Sequence, residues 1–369
     1  MKYKITQVKP YIDGKELQEI KNPIKYNFIT EGPQSKKFLN KLLKITQSKY
    51  GVLAPNGTLA IAVAIMSLGL KRGDEIIIPN FTFYGSYSAA ILAGLKPVLC
   101  DVDKKNFQID IESAKKVLTK KTKAIMPVHI YGGSVNMEEV LKFSKKYKLK
   151  IIEDAAQALG IKFKGKSAGS YGDVSAFSFY ADKAITTGEG GLIVTNNKKI
   201  YTNLLLIRNQ GRIKSGSFVH NNLGYNFRFN DFLASVGLAQ LNKFDLIKKR
   251  KLAIYKKFKQ NLEHLKEVQF FKPINKSNFI PFRVPVIVKN LSKLMIFLEK
   301  NRIQTRGFFF PLHSQKGVNK KFKQNKKDQL FFKNSIYGNK NGLALPCYPS
   351  LRDKDILFIC KKIKNFYDR

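Results

Sequence analysis

Residues 174–191 read VSAFSFYADKAITTGEGG. The first part is an apolar, aromatic strand with small residues, and the last is a glycine-rich turn that permits a tight return into the apolar run 191–195. Between them, just past the strand end, stands a single lysine, Lys183. Earlier in the chain, 75–79 (EIIIP), 96–101 (KPVLCD), 124–128 (AIMPV) and 150–154 (KIIED) also read as buried strands. Amphipathic stretches lie between them, such as 137–147 (MEEVLKFSKKY), whose apolar residues repeat at helical spacing. This alternation predicts an α/β fold with a mostly parallel sheet and helices on both faces. In such sheets ligands bind beyond the carboxyl ends of the strands, so the residues that follow each strand are the candidates for chemistry.

Farther along, 231–262 reads as one long helical pattern, 280–288 and 303–310 as strands and 353–367 as a helix, which together predict a smaller α+β unit. The expected division is a large domain over 1–250, with its N-terminal segment, and a small C-terminal domain over 251–369. The stretch 314–340 is the most polar and basic part and reads as a solvated excursion. The N-terminus lacks the apolar core of a signal peptide. The longest apolar run, 59–70, is shorter than the roughly 20 residues of a membrane span. The expectation is a cytoplasmic protein with no membrane partner.

Cys100, Cys347 and Cys360 are far apart and read as buried, reduced thiols. His129, His220, His264 and His313 show no zinc-ligand spacing, so no metal is expected. The formal charge of +41 over 369 residues raises nucleic-acid binding as a rival. Against it, the excess is mostly lysine spread along the chain, and no zinc finger or RNP-type strand accompanies it. The same field would gather an anionic small substrate.

The residues after the strands form a constellation. Pro55-Asn56-Gly57-Thr58 opens an apolar helix with Asn56 as N-cap, and the unpaired N–H groups there suit a phosphate. Asp154 ends a buried strand and needs a cationic partner or a helix to cap, and Gln157 shares its face if a helix starts there. Ser178 and Lys183 straddle the next strand end, and a partly desolvated lysine is an amine nucleophile toward a carbonyl. Gly224-Tyr225-Asn226-Phe227-Arg228 sets polar groups on an otherwise apolar background. Phosphate cup, carboxylate, lysine and aromatic residues together are what pyridoxal 5'-phosphate (PLP) requires.

With these pieces the chain resembles the sugar aminotransferases of the DegT/DnrJ/StrS family, PLP enzymes of the aspartate-aminotransferase fold (fold type I). The matching motifs are Phe28-Ile29-Thr30-Glu31-Gly32, Asn56-Gly57-Thr58, Glu153-Asp154-Ala155-Ala156-Gln157, Phe177-Ser178-Phe179 leading to Lys183, Thr187-Gly188-Glu189-Gly190-Gly191, the 224–228 segment, Pro311-Leu312-His313 and Leu345-Pro346-Cys347-Tyr348-Pro349. The resemblance implies that Lys183 holds the cofactor covalently and shuttles a proton, and that Asp154 pairs with the pyridinium nitrogen. It likewise implies that Phe83 stacks on the ring, that Gln157 lies on the other side, and that Gly57, Thr58 and Ser178 form the phosphate cup. Asn226 matches a residue that reaches the neighbouring subunit's phosphate, which implies a homodimer with shared sites. Arg228 and His313 lie in motifs near the family's sugar site.

The chain departs from the pattern around the lysine, where Ala181, Asp182 and Ala184 flank it and relatives often have Asn or Thr after it. Pointing inward, Asp182 would raise the proton affinity of the adjoining amine; the expectation is that it faces solvent. Pro281-Phe282-Arg283 and Arg306-Gly307-Phe308-Phe309-Phe310 also differ from many relatives. A dehydratase branch of the family replaces the lysine by histidine, and Lys183 argues against it. The TTGEGG turn and the LALPCYPSL tail look most like the perosamine-synthase subgroup, which aminates the 4-keto group of a GDP-linked 6-deoxyhexose. The implied reaction moves an amino group from glutamate to such a sugar. A dTDP- or UDP-linked keto sugar is the alternative, and a regulatory or nucleic-acid-binding protein on the same fold is the rival from another class.

Overall fold

The computed structural model describes residues 3–213, 218–318 and 326–368. Two helices, α1 (Lys15–Lys25) and α2 (Pro33–Thr46), lead into the alternating part of the chain: β1 (Tyr50–Ala54), α3 (Gly57–Met66), β2 (Glu75–Pro79), α4 (Tyr84–Leu92), β3 (Lys96–Cys100), α5 (Ile111–Lys116), β4 (Thr122–Ile125), α6 (Met137–Tyr147) and β5 (Lys150–Asp154). A short hairpin, β6 (Lys162–Phe163) and β7 (Lys166–Ser167), precedes β8 (Val174–Ser178), β9 (Gly191–Thr195) and α7 (Lys198–Arg208). Among the described residues these build a seven-stranded sheet in the order β1-β9-β8-β5-β4-β2-β3. Every pair is parallel except the two that β9 makes, so only β9 runs against the rest.

The sequence explains the layering. β2 is buried at every position, as a strand covered on both faces must be. α3 is apolar all round and fully buried from Ala60 to Ile65, which makes it an interior helix rather than an amphipathic cover. α6 is amphipathic instead: Met137, Val140 and Phe143 face inward, Glu138 and Glu139 sit in the first turn, and Lys145 and Lys146 sit in the last, each sign matched to the helix dipole.

The rest of the chain is α8 (Asp231–Asn242), α9 (Phe244–Leu262), β10 (Val268–Phe270), β11 (Val284–Val288), α10 (Leu291–Lys300), β12 (Arg306–Gly307), α11 (Lys326–Phe331), α12 (Lys333–Asn341), β13 (Gly342–Leu345) and α13 (Asp353–Tyr367). The second sheet runs β10-β11-β13-β12. Residue 250 falls inside α9, whose Phe244 and Ile247 join the core beside the large sheet while Ile254, Phe258 and Leu262 join that of the small one. Among the described residues no helix is long and apolar enough to cross a membrane. Cys100, Cys347 and Cys360 are free and buried.

Four expectations need correction. The pattern 231–262 is two helices, because Lys243 breaks it and buries its amine against Asp13 (2.9 Å) and Glu16 (2.6 Å) of the N-terminal segment. Only 284–288 of the stretch 280–288 is strand, since Ile280 and Phe282 donate their N–H groups to Gly132 and Tyr131 instead. In 303–310 only Arg306–Gly307 pairs with β13. Part of 314–340 is not a solvated excursion: Phe332 is buried and stacks on His313, and the Asp101 carboxylate accepts from the N–H groups of Asn334 and Ser335. Residues 319–325 of that stretch lie outside the described residues.

Candidate active site

The parallel strands deliver their following residues to one edge of the sheet, as the rule for such sheets requires. From β1 come Asn56, Gly57 and Thr58 at the start of α3. Asn56 is extended and its Oδ1 accepts from Leu59 N (2.9 Å), so it caps the helix while the N–H groups of Gly57 and Thr58 belong to the free first turn. From β8 comes Ser178, packed against Gly57: a Cβ on Gly57 would meet Ser178 Oγ at 3.0 Å and Cβ at 2.8 Å. Glycine is therefore required for that close approach. From β2 comes Phe83, which precedes α4 and is 64 % exposed. A Cβ on Gly85 would touch both Phe83 (3.2 Å) and Thr58 Oγ1 (2.9 Å), so this open ring borders the cup.

β5 ends in Glu153 and Asp154, and strand alternation sends their side chains to opposite faces. Glu153 is wholly buried and accepts from the N–H groups of Gly169 (2.7 Å), Tyr171 (2.7 Å) and Gly172 (2.6 Å). His129 accepts the N–H of Val135 at Nδ1 (3.0 Å), so its proton is on Nε2, which donates to Glu153 (2.9 Å). Burial alone would raise the Glu153 pKa, but His129 and these N–H groups hold it below the usual range. This knot fixes the strand end, and Asp154 is left facing the site. Its Oδ2 accepts from Ser86 Oγ (2.7 Å), which in turn bonds Thr82 Oγ1 (2.9 Å), and its Oδ1 accepts from Ala156 N (3.1 Å). The last bond closes a local turn, and no helix starts there, contrary to one reading of the sequence. Gln157 instead accepts the N–H of Tyr131 at Oε1 (2.7 Å), and Tyr131 has φ 54°.

Lys183 follows Ser178 in a tight turn, its N–H bonded to Tyr180 O (2.9 Å). Its amine lies 4.7 Å from the centroid of the Phe282 ring. Burial pushes this amine below the usual lysine range; Asp182 and Asp154 oppose that, and Arg283 adds to it. Asp182 does not face solvent as expected. Its side chain is 10 % exposed and its Oδ2 accepts from Arg283 Nη2 at 2.6 Å. The tight turn at 180–183 folds the carboxylate inward, where the guanidinium supplies the partner that a buried charge requires.

The remaining sequence candidates make their described hydrogen bonds with other groups. His313 is 4 % exposed, with its Nδ1 against the Asn80 amide (2.9 Å), its Nε2 bonded to Ser314 Oγ (3.0 Å) and its ring stacked on Phe332. Burial lowers its pKa, and both ring nitrogens are engaged within the fold rather than open to a sugar. Asn226 and Arg228 are exposed on a segment held to the end of α7 by the Asn209–Asn226 bridge. Their side chains bond each other (2.8 Å) and not the Lys183 cluster. Ser86 and Thr82 are site residues that the sequence reading missed, although the small polar residues that follow β2 are a signal. Phe282 and Arg283 stand out in the sequence only as a departure from relatives, and nothing local ties them to Lys183.

The residues present fit PLP. A free helix N-terminus with two hydroxyls suits a phosphate, the exposed Phe83 ring suits a planar heterocycle, and the buried Asp154 and desolvated Lys183 suit its ring nitrogen and aldehyde. Among the described residues no cluster of His, Cys, Asp and Glu would hold a metal. The DegT/DnrJ/EryC1/StrS aminotransferase family matches residues 10–364. GDP-perosamine synthase of Escherichia coli O157:H7 is 34 % identical over 372 residues, covering 100 % of this chain and 99 % of that one. Among solved structures, DesV of S. venezuelae superposes with a TM-score of 0.92 at 24 % identity over 99 % of both chains. Spr1654 of Streptococcus pneumoniae, in its PLP form, superposes at 0.91 with 23 % identity, again over 99 % of both. With its strand-end lysine and its match over nearly the whole length, the chain belongs to the DegT/DnrJ/EryC1/StrS aminotransferase family and is a PLP-dependent sugar aminotransferase.

Proposed function

We propose that the enzyme transfers an amino group from glutamate to the 4-keto carbon of a GDP-linked 6-deoxyhexose. The observation that carries the reading is the desolvated Lys183 amine, set among Asp154 and the Gly57/Thr58/Ser178 cup at one edge of the sheet. PLP, when bound, supplies the electron sink and carries the amino group between two half-reactions. Lys183 would hold it covalently and move the proton at the reacting carbon from its Nζ. Asp154 would meet the ring nitrogen with Ser86 orienting that carboxylate, and Phe83 and Gln157 would bound the ring. The GDP-sugar choice rests on the likeness to GDP-perosamine synthase and on the TTGEGG turn.

Assay of the purified protein with glutamate against GDP-, dTDP- and UDP-linked keto sugars tests this reading. The expected result is amine formation on the GDP-linked 4-keto sugar with ping-pong kinetics, because the two half-reactions share no ternary complex. A preference for a dTDP- or UDP-linked sugar would replace the nucleotide assignment. The substrate diphosphate is anionic and the chain carries a formal charge of +41, so kcat/KM is expected to fall as ionic strength rises while kcat changes little.

The exposed Asn226 completes the proposal. It reaches the phosphate of a second subunit, so the working enzyme is a homodimer with shared sites. Phe218 and Leu223, at 93 % and 80 % exposed, precede the segment and give it apolar surface to bury there. Mixing inactive Lys183→Ala protein with an inactive Asn226→Ala protein is expected to restore part of the activity, since one site of each mixed dimer is intact. Proven heterodimers without recovery would count against sharing.

A further inference from the structure

The segments 181–184 and 281–283 meet in an ion pair between Asp182 and Arg283. Asp182 immediately precedes Lys183, and the inward turn sets its carboxylate among the charges that act on the amine. A buried carboxylate without another partner would take the amine as its counter-ion and hold it protonated. A protonated amine is not a nucleophile. The partner that prevents this is Arg283, at 2.6 Å.

Arg283 is fixed for the task. Its Nη1 donates to Gln7 O (3.0 Å), and Gln7 is itself buried and bonded to Ala344 O (2.8 Å). Its guanidinium carbon lies 4.8 Å from the centroid of the Phe282 ring, the same ring that Lys183 approaches at 4.7 Å. Arginine suits the position because its planar, weakly hydrated fork is always charged and binds a carboxylate with little loss of freedom. The other oxygen of the carboxylate, Asp182 Oδ1, is buried and has no hydrogen-bond partner among the described residues. It is the acceptor that would turn to Lys183 if Arg283 were lost. A cavity of ≈ 20 Å³, room for about one water, is lined by Asp182, Lys183, Lys251 and Arg283.

The other titratable groups around Lys183 are Asp154 at the end of β5, Lys251 on α9, Cys347 and Tyr348 after β13, and Lys9 and Tyr11 of the N-terminal segment. Lys251 is committed elsewhere, donating to Cys347 O (2.6 Å) and Phe282 O (3.3 Å). Burial pushes the Cys347 thiol up, which keeps it neutral. Asp182 and Arg283 are the charges that sequence adjacency and the shared Phe282 ring tie to the amine.

We propose that Asp182 and Arg283 are a positioning pair: Arg283 holds the Asp182 carboxylate off Lys183 and so sets the proton affinity of the Lys183 nitrogen in the working enzyme. This rests on the reading that Lys183 carries the cofactor. Each single substitution then unbalances the pair in an opposite sense. Arg283→Met frees the carboxylate and favours the protonated nitrogen, Asp182→Asn leaves an unpaired cation and disfavours it, and the double substitution removes both charges and restores the balance.

The test is a pH titration of the visible absorbance of the lysine-bound cofactor in the purified holoenzymes, with thermal melts alongside. The midpoint is expected to rise by about one pH unit in Arg283→Met, to fall by about one in Asp182→Asn and to return near the native value in the double variant. Coincident midpoints in all four proteins, with only the melting temperatures lowered in the single variants, would reduce the pair to a structural salt bridge and overturn the inference. If Arg283→Met does not fold, Asp182→Asn alone must still lower the midpoint, and an unchanged value there overturns it equally. Borohydride fixation of the native protein separates the two readings. Label on a lysine other than Lys183 would sink the site assignment, whereas label on Lys183 with coincident midpoints would sink only the role of the pair.

Discussion

Lys183→Ala is expected to lose turnover on the order of 10⁴-fold, the upper range for removal of a positioned proton-transfer group. On the proposed role the amine does two jobs at one atom: it would hold the cofactor covalently and move the proton at the reacting carbon. Desolvation keeps its proton affinity below that of an ordinary lysine, which both jobs require. In the native protein borohydride should fix the cofactor to one peptide, and mass spectrometry should place it within 174–191. The alanine variant should show no covalent label and should still fold, because the contact the amine makes is with the Phe282 ring and not with a buried counter-ion. Label on any other lysine, or retention of substantial turnover in the variant, would overturn the assignment.

Asp154→Asn is expected to keep much of the cofactor affinity and lose about a hundredfold in kcat, equivalent to about 3 kcal/mol of transition-state stabilisation. The amide preserves the shape of the carboxylate and can keep a bond with Ser86, so the strand end should hold. It cannot hold the cofactor's ring nitrogen protonated, and the electron sink is weakened where charge develops. Stopped assays of both half-reactions should show the loss in each, with little change in KM. Near-native turnover would mean that Asp154 serves only the local turn it makes with Ala156.

Much of this site is legible in the sequence because its parts are local. A residue at or just past the carboxyl end of a strand lies at one edge of a parallel sheet, and this holds separately for Gly57, Asp154 and Ser178, whereas Phe83 is legible only through the family resemblance. The strands 75–79, 150–154 and 191–195 and the helices 137–147 and 353–367 have the observed bounds because short apolar runs and helical periodicity are properties of neighbouring residues. The failures have one physical form. The break at Lys243 depends on Asp13 and Glu16, some 230 residues earlier, and the burial of Phe332 depends on His313. In both cases a distant partner outweighs what the local pattern favours.

The sequence by itself determined the parallel α/β sheet and singled out the amine, the carboxylate and the turn proposed to hold a phosphate, because each depends on periodicity or on residues adjacent in the chain. It could not determine what Asp182 does. By composition that residue is one more polar side chain in a turn, and solvent is the default for an aspartate. Only the tertiary structure brings Arg283 and Phe282 beneath the turn, and only then does the carboxylate acquire a partner at 2.6 Å in place of water. Whether a charge is buried or solvated is decided by the groups that surround it, and here they come from a segment about 100 residues away.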